Sequence, residues 1–247
     1  MSFTGRFSDR ADDYTAGRPS YPDAAVDMLF DGLGEPGDVV AVDLGAGTGI
    51  SSRLLAERGA TVIAVEPNQA MRDAAEPHPR VEWVAGSAEW TGLAEASADL
   101  VTAFQAFHWF DHAQALEEIV RITRPGGRAA VIYNERDEND PFTAAYGAIV
   151  RKFQTDETER RRADGLEAFA AFEGWVAKRR AAFRNEHRLG ADALAARVGS
   201  TSYLPKTGAA AGRLRDEVRA LFAQHARDGA VVMVMRTIVV AGDVGAG

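Results

Sequence analysis

The stretch Val39-Val40-Ala41-Val42-Asp43-Leu44-Gly45-Ala46-Gly47-Thr48-Gly49 constrains this chain more than any other. An apolar run ends in three glycines at alternate positions, and helix-forming sequence follows at once. Glycines let the backbone turn sharply and let a ligand approach where a Cβ would block it. Thr48 is placed to cap the helix that follows. A buried strand that turns into a helix in this way is the opening unit of an open α/β sheet. Such sheets bind ligands outside the C-terminal ends of their strands.

The pattern repeats downstream. Apolar runs over 61–65, 81–84, 99–104 and 128–133 read as strands, and 50–58, 69–75 and 112–123 read as helices. In the last of these, Ala115, Leu116, Ile119, Val120 and Ile122 recur at helical spacing. Apolar strands alternating with helices predict a mostly parallel sheet covered on both faces. Pro125-Gly126-Gly127 ends the third helix before the fifth strand. Beyond it, 134–141 is a charged loop and 142–184 reads as helix without a strand. The tail predicts a strand over 186–189, helices over 191–198 and 211–226, and a long final strand over 230–241 entered by the Asp228-Gly229 turn. The expected organisation is one domain. Residues 1–36 form an N-terminal lid and helix, 37–134 and 185–247 the core, and 135–184 a helical cap insertion over the site.

Composition narrows the partners. With 28 basic and 36 acidic residues the net charge is −8, which disfavours nucleic acid and anionic membranes. There is no cysteine, so disulfides, thiolate metal sites and a cysteine nucleophile are excluded. The five histidines show no metal spacing, and no metal is expected. The N-terminus lacks the apolar core of a signal peptide, and no apolar run is long enough to span a bilayer, which fits a cytoplasmic location. Leu204-Pro205-Lys206-Thr207-Gly208 matches a cell-wall sorting signal in isolation, but an amphipathic helix start follows instead of an apolar stretch and basic tail.

The glycine spacing is G-x-G-x-G, not the G-x-G-x-x-G of dinucleotide enzymes, and Asp43 precedes the first glycine by two residues. A carboxylate there repels a pyrophosphate and suits a ligand with a cationic amino group, such as S-adenosylmethionine (SAM). Glu66, at the end of the next strand, can accept hydrogen bonds from both ribose hydroxyls. Glu66 alone does not separate SAM from NAD; together with the loop spacing it favours SAM.

On these residues the chain resembles the class I SAM-dependent methyltransferases, whose fold is a Rossmann-like seven-stranded sheet with an antiparallel final strand. Residues 43–49 are similar to the family's first motif, and Glu66-Pro67-Asn68 to its second. By the resemblance, Gly45, Gly47, Thr48 and Pro67 border the cofactor, and Met71 packs beside the nucleoside. Gly86-Ser87-Ala88-Glu89 looks like the segment along the adenine, with Ser87 where the family usually has aspartate. Arg6-Phe7, Ala11, Tyr14, Arg18-Pro19 and Tyr21-Pro22, together with Gln105-Ala106-Phe107-His108-Trp109-Phe110, resemble the trans-aconitate methyltransferase-like subgroup. There the opening segment folds over SAM, which implies that Tyr14 and Arg18 contact its methionine end, Arg18 through the carboxylate.

Methyl transfer asks an enzyme mainly to hold the nucleophile at attack distance. The loop after the fourth strand should lie at the methyl. Gln105 there is a candidate for both cofactor and catalytic contact. His108 is the candidate general base, or else an orienting group for an acceptor that needs no base. Phe107 and Trp109 are expected to form an apolar wall, and Tyr133 and Glu135 to face the same mouth, where Glu135 could attract an amine. The basic run Lys178-Arg179-Arg180 with Arg184 and Arg188 reads as a solvated helix face or a partner for a carboxylated substrate. The expected activity is methyl transfer to oxygen, nitrogen or carbon of a small molecule, by a monomer or homodimer. The alternatives are a SAM-binding protein without catalysis and, more narrowly, a carboxylate O-methyltransferase of the trans-aconitate type.

Overall fold

The computed structural model describes residues 20–245. Tyr14 and Arg18 lie outside the described residues. The apolar runs form one seven-stranded sheet in the order β3-β2-β1-β4-β5-β7-β6. Its strands are β1 (Val40–Leu44), β2 (Thr61–Val65), β3 (Val81–Val84), β4 (Ala98–Phe104), β5 (Thr123–Arg136), β6 (Trp175–Leu189) and β7 (Val231–Val244). The first five pair in parallel. β7 runs against both neighbours, so the final strand is antiparallel as expected.

Period-two alternation sends the strands' side chains to opposite faces. Val42 of β1, Val101 of β4 and Val131 of β5 pack on one face against α4 (His112–Ile122) and α6 (Thr158–Ala171). Ala41, Leu100 and Ile132 pack on the other against α1 (Asp23–Asp27) and α2 (Ile50–Glu57). The short helix α3 (Gln69–Asp73) follows β2. α5 (Pro141–Phe153), α7 (Ala191–Ser200) and α8 (Gly208–His225) form a third cluster over the near ends of β6 and β7. The Asp111 side chain caps α4 at Gln114 N, and Asp140 caps α5 at Thr143 N. Each such cap contributes about 1 kcal/mol.

The structure corrects the sequence in two elements. The helical reading of 142–184 fails over its last part. α5 and α6 are separate helices, and Trp175 begins a strand that pairs with β7 along its whole length. As the sheet's edge, β6 buries few side chains, so no apolar alternation marks it; its lysine and arginines instead guard an exposed edge against wrong pairing. The basic run is therefore a strand, not a helix face. Arg179 is held by Asp243 and Arg184 by Glu186. Thr48 is not the helix cap. Gly49, in left-handed backbone, occupies that position without a side-chain bond. Lys206 of the sorting-like pentapeptide turns inward to the carbonyls of Val198, Gly199 and Thr201, where it caps the end of α7.

Candidate functional site

Gly45, Gly47 and Gly49 all adopt positive φ, between 59° and 79°. A Cβ on Gly45 would stand 2.7 Å from that of Ala106, and one on Gly49 would stand 2.8 Å from the Trp83 ring. The loop is thus pressed against its neighbours as well as turned. Asp43 is fully buried behind it. Its carboxylate accepts from Ser51 Oγ at 2.6 Å, Ser52 Oγ at 2.7 Å and Thr102 Oγ1 at 3.1 Å. β1 pairs Asp43 with Thr102 of β4, and α2 supplies both serines, so strand register and helix start converge on one carboxylate. Burial pushes its pKa up to about 6, although the three hydroxyls pull it down.

Glu66 ends β2 at the same edge. It accepts from Gly47 N at 3.0 Å and Asn68 N at 2.9 Å. Burial raises its pKa, opposed by those two backbone donors and by Arg72. Each oxygen holds one donor and retains capacity for another. Met71 is buried beside this edge. Pro67, Gly86, Ser87 and Trp90 line an adjoining cavity of about 390 Å³. Ala88 is buried in the core, and Glu89 bonds the Asp111 amide at 2.9 Å instead of facing this cavity. Glu118, which sequence reasoning missed, ties the segment down. It accepts from the Thr91 amide and hydroxyl while Arg121 bridges it to the Leu93 carbonyl. The Arg121 contact holds the Glu118 carboxyl at about 2.

These residues fit SAM. A carboxylate with free acceptor capacity suits ribose hydroxyls. The Thr48 hydroxyl, buried in the glycine loop with no partner among the described residues, marks a polar group left for a ligand or its water. No group of three or more metal-ligating side chains occurs among the described residues, and no described helix is long and apolar enough to cross a membrane.

Beyond β4 the chain turns at Gln105, a non-glycine residue held at φ 55°. Such strain persists where surrounding structure over-determines it and gathers at functional sites. The next turn carries Phe107, His108 and Trp109. Phe107 is not a pocket wall. It is fully buried, stacked on His112 and edge-on to Phe110 and Phe169. Its apolar bulk fills the core beneath the turn, and the exposed wall is left to Trp109 and Tyr21. Those two line a second cavity of about 320 Å³ with Gln105, His108, Glu135 and Arg162.

Tyr133 is likewise behind this cavity, not on it. Its buried hydroxyl accepts the His108 backbone N–H at 2.9 Å and lies 3.2 Å from His108 Nδ1. A buried hydroxyl proton needs an acceptor, and Nδ1 is the one in reach among the described residues. On the opposite face of β5, Asn134 and Asn185 both donate to the Ser20 carbonyl, at 3.3 and 2.8 Å, and Thr237 completes the buried polar cluster. That cluster brings the start of the described chain to the cavity's mouth, with Tyr21 edge-on to Phe104.

Arg162 was also missed. On α6, residues 162, 165, 166 and 169 share one face. Gly165 allows that face within van der Waals contact of the His108 backbone. Leu166 and Phe169 are buried there, and Arg162 reaches Gln105 Oε1 at 2.8 Å. An arginine one turn before an apolar helix face carries no motif.

Known proteins share part of this sequence and its fold. Residues 42–131 match a family model described as a methyltransferase domain. The fold around this part is that of the class I SAM-dependent methyltransferases. An uncharacterized methyltransferase of Mycobacterium tuberculosis is 40% identical over 138 residues, which cover 56% of this chain and 55% of that protein. The chain thus spans about half the length of the curated relatives it matches. A solved structure from Anaeromyxobacter dehalogenans, provisionally assigned as a type II methyltransferase, superposes with a TM-score of 0.70 at 28% identity, covering 93% of this chain and 99% of that one. Phosphoethanolamine N-methyltransferase 2 of Haemonchus contortus, solved with S-adenosylhomocysteine, shares the fold at a TM-score of 0.55 and 15% identity, covering 100% of this chain and 61% of that one.

Proposed function

We propose that this protein binds SAM on the glycine loop and transfers its methyl group to a small molecule held in the cavity beside Gln105. The observation that carries the reading is adjacency. The glycine loop, Glu66 and the strained Gln105 turn share the C-terminal edge of three neighbouring strands, and a cavity opens beside the last of them. Bound there, SAM supplies a methyl group activated by its sulfonium.

The protein's own part is binding and orientation. Glu66 accepts the ribose hydroxyls. Asp43, pinned by three hydroxyls, fixes the loop and places a negative field near the cationic amino end. The segment of Gly86, Ser87 and Trp90 takes the base. Tyr14 and Arg18 keep the role that the resemblance implies, recognition of the methionine end. α5 and α6 are the cap over the acceptor. His108, beside the same cavity, orients the acceptor. The narrower reading, a carboxylate O-methyltransferase of the trans-aconitate type, is favoured by the guanidinium of Arg162 in the cavity.

Calorimetric titration with SAM and S-adenosylhomocysteine tests the cofactor, with micromolar binding expected. Release of S-adenosylhomocysteine against a panel of acids, phenols and amines tests transfer. Tight cofactor binding without release on any acceptor would favour a binding protein without catalysis, and failure to bind either nucleoside would sink the reading.

A further inference from the structure

Resting on the methyltransferase reading above, we infer that Arg162 is the specificity-determining residue of the acceptor cavity, and that the acceptor carries a small oxyanion, carboxylate or phosphate, which Arg162 holds.

The argument starts from how the cavity's charges are matched. Arg136 pairs with Glu159 and Arg151 with Glu138, so neither guanidinium carries an unmet charge. Arg162 differs. Its Nη2 donates to Gln105 Oε1 at 2.8 Å and to the Asn134 carbonyl at 2.7 Å, both neutral oxygens. Among the described residues no carboxylate meets it. A half-buried guanidinium bonded only to neutral acceptors keeps its full charge and its remaining N–H donors for a ligand. The Tyr133 ring, 5.3 Å from the guanidinium carbon, fixes the plane from which those donors project.

Position then links charge to chemistry. Arg162 grips the side chain of the strained Gln105, the turn that separates the glycine loop from the cavity. A cationic donor suits an oxyanion and repels a protonated amine. The rival is Glu135, which lines the same cavity without an ion pair among the described residues and is the natural partner of an amine.

The test titrates succinate, inorganic phosphate, succinamide and ethanolamine into protein saturated with S-adenosylhomocysteine. Saturable binding of succinate or phosphate, with none of succinamide, is expected, and the better of the two anions names the oxyanion. Arg162→Met should weaken that anion about 10- to 100-fold, as the loss of a charged hydrogen-bonding partner implies. Arg162→Lys should recover part of the loss, and Glu135→Gln should leave affinity within about twofold. Circular dichroism and unchanged S-adenosylhomocysteine affinity confirm that the variants fold. The inference is overturned if neither anion binds, if Arg162→Met binds the anion as the parent does, or if ethanolamine binds and depends on Glu135. Should S-adenosylhomocysteine itself not bind, the methyltransferase reading fails, and the same anion titration on the protein alone still decides the role of Arg162.

Discussion

The two halves of the sheet's C-terminal edge are built in different ways. The cofactor half, β1 to β3, uses short parallel strands of four or five residues, three positive-φ glycines and two carboxylates buried behind the loop. Most of its polar groups are satisfied by the loop and the helix that follows, with Thr102 of β4 reaching Asp43 from further along the chain. The acceptor half uses strands of 14 and 15 residues and three helices from distant parts of the chain, and its polar groups meet across long sequence separations. Asn134 meets Thr237, and Gln105 meets Arg162. A site for one fixed ligand can be written in a contiguous motif. A site that must change with its acceptor is assembled by packing.

If that division is right, substitutions in the first half should affect cofactor and stability, and those in the second should spare the cofactor. The largest effect expected is at Glu66. Replacing it with alanine removes the ribose acceptor and leaves the Gly47 and Asn68 amides without a partner. SAM affinity by calorimetry should fall on the order of 10³-fold, about 4 kcal/mol. Binding within tenfold of the parent would break the assignment of this edge.

Asp43 comes next, through pH. Its folded pKa of about 6 lies above the ordinary 3.8, so the folded protein holds this proton more tightly than the unfolded chain does. The resulting stabilisation is complete below about pH 3.8 and is lost as pH rises through 6, a swing on the order of 3 kcal/mol. Asp43→Asn should remove it. Denaturant melts without cofactor at pH 4 and 7 should show the parent losing ground to the variant at the higher pH. Parallel profiles would mean that the buried carboxylate does not titrate there.

In the acceptor half, Tyr133→Phe deletes the hydroxyl that holds the His108 backbone and ring. Turnover should fall about tenfold, near 1.4 kcal/mol, with SAM affinity within about twofold. An equal loss of cofactor binding would erase the proposed boundary between the halves. The smallest effect is at Asp111, the cap of α4 and remote from both ligands. Asp111→Ala should cost about 1 kcal/mol in thermal melts and leave turnover unchanged.

The same contrast explains what the sequence disclosed. The parallel half was legible because each strand there is buried on both faces and reads as an unbroken apolar run, and because Gly45, Gly47 and Gly49 announce a turn. β6 was not legible. Lying at the edge and half exposed, it carries charges where alternation would have betrayed a strand. Phe107 was misplaced because an aromatic in a site loop looks the same whether it faces ligand or core. What decided its fate was Phe169, more than sixty positions away in the chain. Arg162 was invisible for the same reason, since only the packing of Leu166 and Phe169 aims it at Gln105.

The grip of Asn134 and Asn185 on the Ser20 carbonyl has a practical side. Because β7 runs opposite to β5, pairing Arg128 with Asp243, the last described strand finishes at the rim of the sheet farthest from Ser20. Anything fused or tethered ahead of Ser20 would crowd the doorway to both ligands. A tether placed after Val244 would leave that doorway clear, so a surface-captured sample for binding work should hang from its far end.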